Sequence, residues 1–304
     1  MPRIFTPELF LVIAAILWGG TFVVIKLALD SVPPFLFLAV RFSLAGFITL
    51  LLYRKTLFSK ANRRLDYILP AFFVACSALL GYAFQTIGLV YTSATQSGFM
   101  TGAYVIFVPL LQIAIERKLP SLRTWIAVVI VVIGLFCISQ NGKSLDEFQG
   151  DLGFGFGDGL TLIGAFFFAV YIILIDIYTK KIPSQILVSF EILLIAVVSS
   201  FLFPIESIFL KQTIHVQFDL KFWIGIIYTS VFATIFTTQI QTRYQKAVSP
   251  ARAGLLYSLE PVFSFFLAYL VLGERLGMIG AIGSFLTLFG ILFSEMGKWN
   301  KREE

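Results

Sequence analysis

Charge is scarce in this sequence: 13% of its 304 residues are Asp, Glu, Lys or Arg, and 58% are apolar. Soluble domains carry roughly 25% and 45–50%. So little polar surface cannot cover a globule in water, which excludes an ordinary soluble fold. Histidine occurs once, as His215, and cysteine twice, as Cys76 and Cys137, both inside apolar runs. Neither a disulfide framework nor a Cys/His metal site finds support in that spacing. No HExxH, GxSxG or CxxC motif is present, so a membrane hydrolase or transferase lacks its usual groups and no cofactor is implied. The net charge of +6 does not argue for nucleic acid, because the basic residues sit between hydrophobic runs.

Long apolar runs are what the chain has instead, and the lipid bilayer is their implied partner. At about 20 residues per crossing, ten membrane helices are expected, over 8–28, 35–52, 67–90, 97–115, 124–140, 157–178, 186–203, 222–243, 252–272 and 277–295. Pro33-Pro34, Asn141-Gly142 and Pro183 punctuate them with residues that stop helices. The alternating glycines Gly153, Gly155, Gly157 and Gly159 read as a flexible linker between two halves. The stretch 204–221, holding His215, reads as the longest connection. One basic residue, Arg3, precedes the first run and no small-residue cleavage site follows, so that run is expected to be a retained helix.

Lys and Arg set the orientation. Of the 23, seventeen fall at one face of the membrane, among them Arg54, Lys55, Arg117, Lys118, Lys180, Lys181, Arg243 and Arg252. The opposite loops hold only Lys143, Lys211, Lys221 and Arg275, and Lys26 and Arg41 lie within spans. The positive-inside rule then places both termini in the cytoplasm, as an even number of crossings requires.

The ninth run, Ser249–Arg275, carries Glu260 about a third of the way along, followed by Pro261. A carboxylate at that depth is costly and by default marks a functional site. The proline cannot donate to the carbonyl of Tyr257, leaving a polar spot beside the acid. A second reading has Glu260 neutralised by a fixed internal partner that holds two helices together.

The chain also holds a faint copy of itself. A shift of 150 pairs Pro33 with Pro183 and Trp18 with Phe168. A shift of 156 pairs Gln85-Thr86 with Gln241-Thr242, Gly98 and Gly102 with Gly254 and Ser258, and Tyr104 with Glu260. Five spans per copy is odd, so the second copy must enter the membrane upside down, the plan of many secondary transporters. The small residues of spans four and nine would let helices approach closely. Pro109 does not align with Pro261, which puts the two kinks at different heights. The shift of 150 also sets Lys26 against Asp176 and Arg41 against Glu191; each is either a pathway residue or paired locally.

The segments AAILWGGTFVVIKLAL (14–29), AVRFSLAGFITLLL (39–52), TSATQSGFMTGAYVIFVPLL (92–111) and ARAGLLYSLEPVFSFFLAYLVLGERL (251–276) resemble the EamA-type drug/metabolite transporters over essentially the whole chain. The resemblance implies an all-α membrane protein of ten helices in two inverted five-helix halves, 1–150 and 151–304. It implies a permease or exporter of small molecules such as amino acids or drug-like compounds, usually in the bacterial inner membrane. Polar and aromatic residues in mid-span are then candidates to line a central solute site: Trp18, Tyr82, Gln85, Tyr104, Tyr171, Thr238, Gln241, Tyr257 and Glu260. Glu260 would either pair with a cationic group of the solute or carry a coupling proton. The other class in view is a channel or an integral membrane enzyme, for which no filter-like loop or catalytic cluster is found.

Overall fold

The computed structural model describes residues 6–59, 65–140, 155–210, 216–274 and 277–296, without the side chains of 207–210 and 296. Arg3, Lys60, Arg63, Arg64, Lys143, Gly153, Lys211, His215, Arg275, Lys298, Lys301 and Arg302 lie outside the described residues. Within them the chain is helical and has no strand. Ten helices are long and apolar enough to cross a membrane: Pro7–Leu29, Pro34–Leu57, Leu65–Val90, Ala94–Glu116, Leu122–Ser139, Phe156–Tyr178, Ser184–Glu206, Leu220–Ala247, Pro250–Leu272 and Met278–Glu295. They are called spans one to ten below.

Local chemistry sets their starts. Thr6, Ser93, Ser121 and Asp219 each accept a hydrogen bond from a first-turn N–H, filling one of the donors a helix leaves open. Pro7, Pro34 and Pro250 occupy first-turn positions, where no N–H is needed. The surface is reversed from that of a soluble protein. Phe47, Leu52, Phe201 and Phe285 are each more than 60% exposed, while Arg41, Glu191 and Glu260 are buried.

Two expectations about connections are corrected. Gly155 precedes span six, but Gly157 and Gly159 lie in its first turns and are helical, not part of a linker. A Cβ on Gly157 would come within 2.6 Å of the Gly88 carbonyl oxygen; the missing side chain lets spans three and six touch backbone to backbone. The helix of span seven runs on through Pro204 to Leu210, which shortens the connection before span eight.

Spans four and nine are both broken in the middle. Span four divides into Ala94–Gly102 and Tyr104–Leu111, and span nine into Pro250–Tyr257 and Glu260–Leu267. Each continues into a wider π turn, Gln112–Glu116 and Ala268–Leu272, and ends on a left-handed residue, Arg117 (φ 55°) and Gly273 (φ 68°). Each second segment, π turn and left-handed residue lies 156 positions from its counterpart. The two breaks therefore fall at equivalent positions of the two halves, although the prolines do not align. Pro261 occupies the first turn after its break, but in span four the break falls at Ala103, whose N–H reaches the carbonyls of Met100 and Thr101. Pro109 lies further on, inside the second segment.

Packing brings span two against seven, five against ten, four against nine, three against six and one against eight. Glycines at 98 and 102 face Ser264 and Pro261 of span nine. Gly254 has only ordinary contacts, 3.5 Å or more from a hypothetical Cβ to Val108, so close approach is confined to the span-four pair.

Candidate solute site

The break in span nine turns Glu260 into the middle of the bundle, 7% exposed. Its Oε2 accepts a hydrogen bond from Tyr104 Oη at 3.2 Å, and among the described residues no Lys or Arg lies within ion-pair distance. Tyr257 stands one turn earlier. Its hydroxyl donates to Gln245 Oε1 at 3.1 Å, and its ring meets Trp18 edge-on at 5.2 Å. The Trp18 indole donates across to the Ala233 carbonyl of span eight at 3.2 Å.

These side chains open onto one cavity, walled also by Tyr82 and Gln85 of span three, Thr101 of span four, Phe168 and Tyr171 of span six, and Gln241 of span eight. Gln85 donates to Thr101 Oγ1 at 2.9 Å and Tyr171 to Glu191 Oε2 at 2.9 Å. Tyr82 packs edge-on against Phe168, and its ring lies 5.0 Å from the Arg41 guanidinium. Gln241 donates to Gln245 Oε1 at 3.0 Å.

Eight of the nine candidates thus surround one space; Thr238 does not. It is buried at 1% exposure away from the cavity. Gln241, one turn further along the same α-helical segment, Thr237–Tyr244, reaches the cavity in its place. Three polar residues at the cavity were not singled out as solute-site candidates. Arg41, left open between two readings, lines the wall and is 1% exposed. Thr21 and Thr101 line it too, but hydroxyls in apolar helices carry little signal, because many bond back to their own helix, as Thr161, Thr179 and Thr229 do here.

Other charged groups of the spans have local partners. Lys26 donates to the carbonyls of Leu89, Val90 and Thr92 at 2.8–3.2 Å, satisfying the end of span three. Nearby, Thr95 donates to Glu274. Asp176 pairs with Lys180 at 2.7 Å. At the Glu8 end of the bundle, Arg252 binds Glu295 and approaches Glu8 at 4.0 Å, and Phe10 stacks on Tyr244 at 4.2 Å. The contacts at the two ends of the bundle therefore differ in kind. Metal-holding clusters of three or more His, Cys, Asp or Glu are absent among the described residues.

A broken carboxylate-bearing helix facing an aromatic cavity in a ten-span bundle is the build of a membrane carrier, and comparison with known proteins agrees. The profile of the EamA-like transporter family matches twice, over residues 6–140 and 155–296. The chain belongs to that family and is a multi-pass membrane transporter. It is 30% identical to an "uncharacterized transporter" of Archaeoglobus fulgidus over 94% of this chain and 84% of that one. It is 25% identical to the transporter YwfM of Bacillus subtilis, over 94% and 92%, and 24% identical to the inner membrane transporter YedA of Escherichia coli K12, over 93% and 89%. A crystal structure superposes with a TM-score of 0.75 at 15% identity, covering 95% of this chain and 96% of that one; the two share the fold.

Proposed function

We propose that the protein is a secondary transporter moving small organic metabolites, amino acids or drug-like compounds among them, across the cytoplasmic membrane by alternating access, with both termini in the cytoplasm. In this reading the halves are inverted repeats that rock about the central cavity, whose wall residues named above contact the solute. Opening one end would break the Lys26 and Thr95–Glu274 contacts; opening the other would break those of Arg252 and the Phe10–Tyr244 stack.

One observation carries the reading: Glu260 is a buried acid on a cavity wall with a tyrosine hydroxyl as its partner and, among the described residues, no Lys or Arg within ion-pair distance. A carboxylate kept there for structure alone would be expected to have a counter-charge. Glu260 therefore either pairs with a cationic group of the solute or carries the proton that couples transport to the gradient. The test is flux by Glu260→Gln in reconstituted vesicles under an imposed pH gradient. Loss of flux, or loss of its pH dependence, is expected; unchanged flux with unchanged pH dependence removes both roles. Saturation and counterflow separate this carrier from a channel.

A further inference from the structure

The cavity wall holds a second uncompensated charge. Arg41 is the bulkiest of the fully buried side chains. Its Nε donates to Thr234 Oγ1 at 3.0 Å and its Nη2 to the Ala233 carbonyl at 3.4 Å. A guanidinium has five N–H donors, so those two bonds leave most of the fork free. Its charge is flanked by the rings of Phe42 and Tyr82, each 5.0 Å from it. Among the described residues no carboxylate pairs with it. Each acid near this part of the bundle has a tyrosine instead: Glu191 has Tyr171 and Glu260 has Tyr104.

We propose that Arg41 is the anion subsite of the central cavity and that, with Glu260, it selects small zwitterions: the solute's anionic group on the guanidinium, its ammonium group toward the carboxylate. This rests on the reading of the cavity as the solute site. Burying a cation without an anion is costly, and the planar fork matches a carboxylate in two parallel hydrogen bonds. A solute with one charge would leave either Arg41 or Glu260 unmatched, whereas a zwitterion neutralises both. The rings of Trp18, Tyr82, Tyr104 and Phe168 give an apolar side group a surface to pack on.

The test uses one carbon skeleton with three charge patterns: L-phenylalanine, phenethylamine and 3-phenylpropanoate, with L-leucine, isopentylamine and 4-methylpentanoate as a second set. Equilibrium binding and counterflow are measured on purified, reconstituted protein. The zwitterion of at least one set is expected to bind about 10-fold or more tighter than its singly charged analogues, the range of a charged hydrogen bond. Arg41→Gln should bring zwitterion and amine to within about threefold, and Arg41→Lys, which keeps a charge without the fork, should fall between. Glu260→Gln should instead equalise zwitterion and carboxylate. These are ratios between probes on one preparation, so a lower folded fraction does not move them. A wild-type protein without preference for either zwitterion, one that binds none of the six probes, or an unchanged ratio in Arg41→Gln overturns the assignment. The carrier reading survives that result if another solute shows counterflow, and falls if none does.

Discussion

Tyr104 and Glu260, 156 residues apart, open the second segments of the two broken spans and touch, hydroxyl to carboxylate, at 3.2 Å. Equivalent positions of the two halves therefore meet at the cavity. Tyr104→Phe keeps the ring and removes the donor. A hydrogen bond to a charged group is worth about 1.5–3 kcal/mol, so initial transport rates should fall roughly tenfold. Combined with Glu260→Gln, the tyrosine change should add almost nothing to the loss. Additive losses would show that the two residues act separately.

Gly19 of span one lies against the break in span nine. A Cβ there would sit 2.6 Å from Phe263 Cβ and 2.7 Å from the Glu260 carbonyl oxygen. Gly19→Ala must push the segment bearing Glu260 aside, a change that costs about 1–3 kcal/mol in a packed core. Gly254→Ala meets only ordinary contacts and, within a helix, should be neutral or stabilising by about 0.5–1 kcal/mol. The melting temperatures of the two variants should move in opposite directions or, at the least, differ clearly. Equal shifts would mean that spans one and nine are not in the close contact described.

The parts of this architecture legible in the sequence are those that the bilayer dictates. A crossing needs about 20 apolar residues, so ten runs announce ten helices, and an acid inside one of them stands out. Arg41 stood out in the same way, but sequence periodicity does not say what neighbouring helices bring to a side chain, and two readings stayed open until spans three and eight were seen around it. The matching positions of the two breaks do not show in the prolines, because the break at Ala103 has no proline to announce it. Thr238 is polar and in mid-span, but polarity alone does not say which side of a helix meets the cavity, and the wall takes Gln241 one turn further on instead.

Asp219 offers a pH test outside the membrane spans. Its Oδ1 accepts from the Phe222 N–H at 2.8 Å and its Oδ2 from Ser31 Oγ at 3.0 Å. These bonds, the backbone one first, hold its carboxyl below the usual aspartate range. A depressed folded-state value gives stability that is present above the unfolded value of about 3.9 and is lost as pH falls through the folded value. Asp219→Asn keeps a capping oxygen but cannot titrate. Its melting temperature should therefore lose less than wild type between about pH 5 and pH 3. Parallel acid curves for the two proteins would show that the cap contributes nothing to acid sensitivity.

Gln245 lies outside every candidate drawn from the sequence, two residues beyond the expected end of its span, yet it is fully buried. Its Nε2 donates to the Ile172 carbonyl of span six at 2.7 Å. Its Oε1 accepts from both Gln241 Nε2 and Tyr257 Oη. One amide thus ties spans six, eight and nine at the edge of the cavity. Gln245→Leu keeps much of the volume and leaves three polar groups without that partner, at about 1–3 kcal/mol for each group that stays unsatisfied. The groups that face the cavity can turn to water; the Ile172 carbonyl has less access to it. The expected result is a loss of about 2–4 kcal/mol in stability, read by denaturation in detergent, together with weaker solute binding as Tyr257 loses its anchor. Gln245→Glu keeps an acceptor for Tyr257 and loses the donor to Ile172, so it should recover binding more than stability. If both variants lost the two properties in the same proportion, Gln245 would be a packing residue and nothing more.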